Sequence, residues 1–205
     1  ADLTVLDVNA GQLVGMLGAE HGVAGPEDVN FGPDGSLYWA GMFTGDMGRI
    51  APDGSVTTQM VSPGLNSIAF SADGRMFVTE PWNSDLLLEL DPALAAPPRL
   101  LAQGLGGVKG IDFGSNGLLY AALMWQGKVV TIDVDAEPVV VTTIADDVPS
   151  PFTAKFGPDG MLYVIERVGF TIQRMDPATG AHSTYATLPF GPDNLAFNAQ
   201  GRLFV

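Results

Sequence analysis

One pattern is written five times along this chain: a Phe, a turn ending in Gly, and then an apolar-aromatic pair. The copies are EDVNFGPDGSLYWAG from Glu27, NSIAFSADGRMFVTE from Asn66, KGIDFGSNGLLYAAL from Lys109, FTAKFGPDGMLYVIE from Phe152 and DNLAFNAQGRLFV from Asp193. The Phe residues (Phe31, Phe70, Phe113, Phe156, Phe197) recur at spacings of 39, 43, 43 and 41. That period suits one four-stranded propeller blade.

The local chemistry agrees with the period. Asp34-Gly35, Asp73-Gly74, Asn116-Gly117, Asp159-Gly160 and Gln200-Gly201 fall where a tight hairpin needs a residue with positive φ. Apolar runs flank each turn, as in Val29 to Phe31 followed by Leu37-Tyr38. The third copy continues into Lys128 to Asp133 and Val139 to Ile144, which makes four strands. Asp91-Pro92 and Asp176-Pro177 end third strands, because Pro cannot donate to a ladder. With 26 Gly, 15 Pro and 46% hydrophobic residues, the expectation is many short strands, and helical periodicity is scarce.

The predicted fold is therefore all-β: a β-propeller of four-stranded blades, forming a single domain over residues 1–205 with no linker. Its blades start near 27, 66, 109, 152 and 193. Arg202 to Val205 reads as the second strand of a truncated fifth blade, so the expectation is a fragment of a larger ring, or a ring that a second chain completes, ahead of a true five-blade ring. Leu3 to Val8 alternates as an outer strand that closes the ring would.

Nine basic residues against 23 acidic ones give a net charge of -14. This argues against nucleic acid and anionic membrane surfaces, which call for basic patches. Without Cys there is neither a disulfide nor a thiolate metal site, and any compartment is compatible. A mature chain starting at Ala1 would have lost a signal peptide, which leans towards a secreted or periplasmic protein.

In a propeller the innermost strands line the central channel. The position four before each repeat Phe marks the channel mouth: Glu27, Asn66, Lys109, Phe152 and Asp193. Glu27, Asn66 and Asp193 would present oxygens to one hard cation, and Ca²⁺ takes six to eight such ligands. Asp and Asn at strand starts also bond neighbouring backbone. Lys109 stands among them, and an ammonium beside a divalent cation costs binding energy unless it pairs with a carboxylate such as Glu27 or Asp193. Trp39, Trp82 and Trp125, near second-strand ends, would line a ligand mouth or pack between blades. His21 and His182 form no pair in sequence. Glu80 and Glu166 follow second strands as hydrogen-bonded ends.

The segments GPEDVNFGPDGSLYWAG, NSIAFSADGRMFV and DNLAFNAQGRLFV resemble blades of the SMP-30/gluconolactonase superfamily. The resemblance implies a six-bladed propeller with one divalent cation, Ca²⁺ above all, at the channel mouth, and hydrolysis of sugar lactones in many members. Glu27, Asn66 and Asp193 match its ligand patterns, although Asn66 lies on the second blade and Lys109 and Phe152 hold the middle-blade mouths. GPED followed by GDMGRI is similar to strictosidine synthase-like propellers, and FVTEPWNSDLLLELDP and YVIERVGFTIQRMDP to virginiamycin B lyase-like ones. The expected function is a metal-dependent hydrolase of lactones or related small esters, with Asp193 as proton acceptor and Lys109 steadying the oxyanion. The alternatives are a non-catalytic propeller binding a ligand or protein, and a lyase or synthase on the same fold.

Overall fold

Each of the five hairpin glycines adopts the left-handed conformation its turn requires, with φ between 74 and 89° at Gly35, Gly74, Gly117, Gly160 and Gly201. The computed structural model describes residues 3–7 and 12–205. Four antiparallel four-stranded sheets follow one another along the chain. The first comprises β3 (Pro26–Phe31), β4 (Leu37–Gly41), β5 (Asp46–Ile50) and β6 (Val56–Met60). The second comprises β7 (Ile68–Phe70), β8 (Met76–Glu80), β9 (Leu86–Leu90) and β10 (Arg99–Gln103). The third is built from β11 (Val108–Phe113), β12 (Leu119–Leu123), β13 (Lys128–Asp133) and β14 (Val140–Ala145). The fourth is built from β15 (Pro151–Phe156), β16 (Leu162–Glu166), β17 (Thr171–Met175) and β18 (His182–Thr187). The fifth repeat contributes β19 (Ala196–Phe197) and β20 (Leu203–Phe204). The four-stranded sheets are the blades of a β-propeller, and no α-helix occurs among the described residues.

At the other end of the sequence, β1 (Leu3–Asp7) pairs with β2 (Gln12–Leu17) in a separate two-stranded sheet. The strand expected at Leu3 to Val8 is present up to Asp7, and Val8 lies outside the described residues. It pairs with β2, which the repeat gave no reason to expect, and not with a blade.

The repeat Phe has a clear physical purpose. Four of the five pack on the aromatic of the preceding blade: Phe70 on Tyr38, Phe113 on Phe77, Phe156 on Tyr120 and Phe197 on Tyr163, with ring centroids 4.9 to 5.1 Å apart. Tilted or edge-on pairs of this kind add about 0.5–1.5 kcal/mol beyond the area they bury. The aromatic that closes each lock lies seven residues after its own blade's Phe, which is why the motif must hold both. Phe31, first in the series, has no such pair among the described residues and is 69% exposed.

Polar clasps join the inner strands nearer the axis. Asp28 accepts the Ile68 backbone N–H at 3.0 Å, and Ser67 Oγ accepts that of Ile111 at 3.3 Å. Thr153 donates its hydroxyl to Asn194 at 3.0 Å, and Asn194 donates its amide to Asp28 at 2.8 Å, linking the fifth repeat to the first blade. Between β11 and β15 there is no room for a side chain. A Cβ at Gly110 would run into Thr153 Cα and the Phe152 carbonyl. The small or polar set Asp28, Ser67, Gly110, Thr153 and Asn194 thus sits one residue inside the mouth, at equivalent places in all five repeats.

Candidate functional site at the channel mouth

The mouth positions come together. Glu27, Lys109 and Phe152 are the second residues of β3, β11 and β15, while Asn66 and Asp193 lie just ahead of β7 and β19. Asn66 Nδ2 donates to Glu27 Oε1 at 3.2 Å. Lys109, only 3% exposed, donates from Nζ to Asp193 Oδ1 at 3.2 Å. Arg167, in the turn after β16, reaches the same oxygen at 3.3 Å and also donates to the Pro192 carbonyl. Both cations rest on the Phe152 ring, at 4.4 Å for Lys109 and 4.7 Å for Arg167. A cation on an aromatic face is attracted by the ring's negative quadrupole, more so where water is excluded.

The electrostatics single out Glu27. Its half-buried carboxyl is raised above the ordinary value, first by desolvation and then by the negative charge of Asp193. Lys109 and the Asn66 amide oppose the rise without cancelling it. A carboxyl raised in this way holds its proton more firmly than an ordinary one, which suits it to general acid–base work. Asp193, the expected proton acceptor, instead has Oδ1 engaged by two cationic donors.

The donor set does not fit a divalent cation in this arrangement. Asp193 is already shared by an ammonium and a guanidinium, and Asn66 turns its amide N–H towards Glu27. No three Asp, Glu or His side chains gather at metal-ligand range among the described residues. A dication at the mouth would sit beside Lys109, whose charge repels it. The pairing of Lys109 with a carboxylate, one of the two that the sequence offered, is with Asp193.

Other residues fall into place around this centre. Glu80 is buried and accepts the backbone N–H groups of Trp82, Asn83 and Ser84, and Glu166 accepts those of Val168 and Gly169 and the Thr171 hydroxyl. Both carboxylates hold the turn after a second strand, as expected of hydrogen-bonded ends. Trp39 is buried within its blade, whereas Trp82 and Trp125 stand exposed on mouth-side turns. His182 begins β18, 3.7 Å from Asp147, and His21 lies in a 3-10 turn beside Glu20. A cavity of about 470 Å³ opens between β3 and the β19–β20 pair, lined by Asp28, Asn30, Asp112, Lys155, Asn194 and neighbouring apolar residues. None of the mouth residues Glu27, Asn66, Lys109 or Asp193 lines it. Sequence reasoning missed Arg167, which follows a second strand and lies outside the inner-strand register. It also missed the clasps at Asp28 and Asn194, which reading the register one residue further would have found.

Comparison with solved structures places this architecture. Virginiamycin B lyase from Staphylococcus aureus superposes with a TM-score of 0.67 at 19% identity, over 84% of this chain and 60% of its own. A protein solved as a gluconolactonase superposes with a TM-score of 0.75 at 14% identity, over 95% of this chain and 74% of its own. The fold is that of a β-propeller. A chain in the nidogen/laminin complex shares it too, with a TM-score of 0.71 at 19% identity, over 83% of this chain and 68% of its own. Residues 16–50 match the family model described as strictosidine synthase-like, N-terminal. No curated protein sequence matches the chain. The chain spans 60 and 61% of the length of two of the solved lyases it matches. Propellers of this kind serve gluconolactonase-like, lyase and strictosidine synthase-like proteins, so chemistry must be argued from the mouth.

Proposed function

We propose that the chain is a hydrolase of lactones or related small esters, worked at the channel mouth by Glu27 and Lys109 without a divalent cation. One observation carries the reading: a half-buried carboxyl, raised by desolvation, stands in the field of a buried ammonium. Glu27 takes a proton from water as the water oxygen bonds to the ester carbonyl carbon. Lys109 Nζ has three N–H donors and gives one to Asp193, so others are free to meet the oxyanion that develops. The carbon–oxygen bond of the ring then breaks, and the leaving alkoxide takes the proton back from Glu27. Asp193 and the Phe152 face hold Lys109 in place, and Arg167 adds a second positive charge behind it.

The test is hydrolysis of simple five- and six-membered lactones followed by pH-stat, with and without EDTA. Turnover that Glu27→Gln and Lys109→Met abolish, and that EDTA leaves intact, is the expected result. Turnover lost to EDTA and restored by calcium would return the mouth to the metal-dependent scheme. A non-catalytic ligand-binding propeller is the second reading, favoured by the tight pairing of Asp193 with both cations. Ligand binding without turnover of any ester would select it.

A further inference from the structure

The two faces of the propeller differ in composition. Strand directions put the turns between second and third strands on the same side as the mouth. Hydrogen bonds confirm the placement: Trp125 N–H reaches the Gly106 carbonyl, and Arg167 N–H that of Ser150, both just ahead of inner strands. On this side Phe43, Trp82, Trp125, Val168, Phe170 and Phe190 are all exposed, Phe43 at 83% and Trp125 at 57%. The turn of every complete blade supplies at least one of them.

On the opposite side the first-to-second strand turns carry Asp34, Asp73, Asn116, Asp159 and Gln200. There Arg49 pairs with Asp34 at 2.8 Å, Arg75 with Glu89 at 2.7 Å, and Arg174 with Asp159 at 2.8 Å. No large exposed hydrophobic residue falls in those turns among the described residues. Apolar side chains left in water at every second-to-third strand turn around one mouth call for an occupant.

We infer that this rim binds the apolar body of the mouth's ligand, making the site selective for lactones or esters that carry an alkyl or aryl substituent. The inference rests on the proposed ester chemistry and deepens it. The two parts are complementary: the Lys109 and Arg167 pair on Phe152 suits a carbonyl or carboxylate head, and the ring of aromatics around it suits a hydrocarbon tail. Small polar sugar lactones would leave the rim wet. A tail lying across it exchanges water for aromatic surface, at about two- to fourfold in affinity for each methylene buried.

The experiment measures binding by intrinsic tryptophan fluorescence, which needs no turnover, because Trp82 and Trp125 lie in the rim. The probes are γ-butyrolactone and its butyl-, hexyl- and octyl-substituted homologues. Affinity should rise with chain length, and the double substitution Phe43→Ser with Trp125→Ser should flatten the rise. Both positions are exposed turn residues, and circular dichroism of the variant checks that the sheets persist. A flat series in the wild-type chain overturns the inference even where γ-butyrolactone is hydrolysed, and a rising series that the double variant leaves untouched overturns it as well. A rising series with no hydrolysis of any homologue upholds the rim and removes the proposed reaction. Self-association in sedimentation, lost in the double variant and accompanied by a flat series, would reassign the rim to a second copy of the chain.

Discussion

Lys109 and Asp193 lie 84 residues apart in sequence and 3.2 Å apart in space, joining the third blade to the fifth repeat across the channel mouth. Lys109 is buried and Asp193 is half exposed. Solvent therefore screens one partner and not the other, and the pair is worth less than a fully buried one. Lys109→Met should nonetheless leave Asp193 with Arg167 alone, and Asp193→Asn should leave a buried ammonium with one fewer acceptor. A double-mutant cycle by urea unfolding should give a coupling of about 0.5–3 kcal/mol. Strict additivity would show that the contact contributes nothing.

The same pairing has a consequence for metal. An ammonium held at the mouth repels a dication, so millimolar calcium should leave the melting midpoint of the wild-type chain unchanged. A site filled to about a hundred times its dissociation constant would add about 2.7 kcal/mol through mass action. Lys109→Ser removes the repulsion and leaves Glu27, Asn66 and Asp193 in place, and should shift the midpoint upwards in calcium. A clear calcium shift in the wild-type chain would show that the mouth already holds the ion.

Glu27 sets a pH dependence whose sign follows from its raised value. The folded chain holds the Glu27 proton more tightly than the unfolded chain does, so its contribution is full at low pH and fades as pH rises through the folded value. Glu27→Gln should therefore melt higher than the wild type at neutral pH, and the gap should close as pH falls towards the ordinary carboxylate range. Differential scanning fluorimetry across that interval reads it directly. A gap that widens on acidification would mean that Glu27 is stabilised as the anion.

The aromatic locks predict a contrast between two chemically similar substitutions. Phe77 is fully buried and packs on Phe113, whereas Phe31 is largely exposed. Phe77→Ala should cost about 3–5 kcal/mol, and Phe31→Ala should stay within about 0.5 kcal/mol, as for a surface residue. Equal losses in urea would mean that Phe31 has a packing partner of its own.

Gly110 tests the close approach of β11 and β15. Gly110→Ala must push Thr153 and Phe152 backbone aside, at about 1–3 kcal/mol. Because Phe152 carries Lys109 and Arg167 on its ring, the same substitution should weaken ligand binding at the mouth. Unaltered stability in urea would show that the two strands have slack.

The period of the repeat Phe, the Gly of each hairpin and the alternation around them were enough to place four complete blades, their turns and the register of the mouth. Those features act locally: a left-handed turn and an apolar strand dictate their geometry within a few residues, and repetition carries it round the axis. The same register brought Glu27, Asn66, Lys109, Phe152 and Asp193 to one end of the channel. Which of them would touch was decided only in three dimensions. Asp193 lies as close to two cations as its expected partners lie to each other, Glu27 acquires its proton affinity from burial and from a charge over 160 residues away, and Arg167 arrives from a turn outside the register. Ion pairing and desolvation depend on distances between separate blades, and no spacing along one chain encodes them.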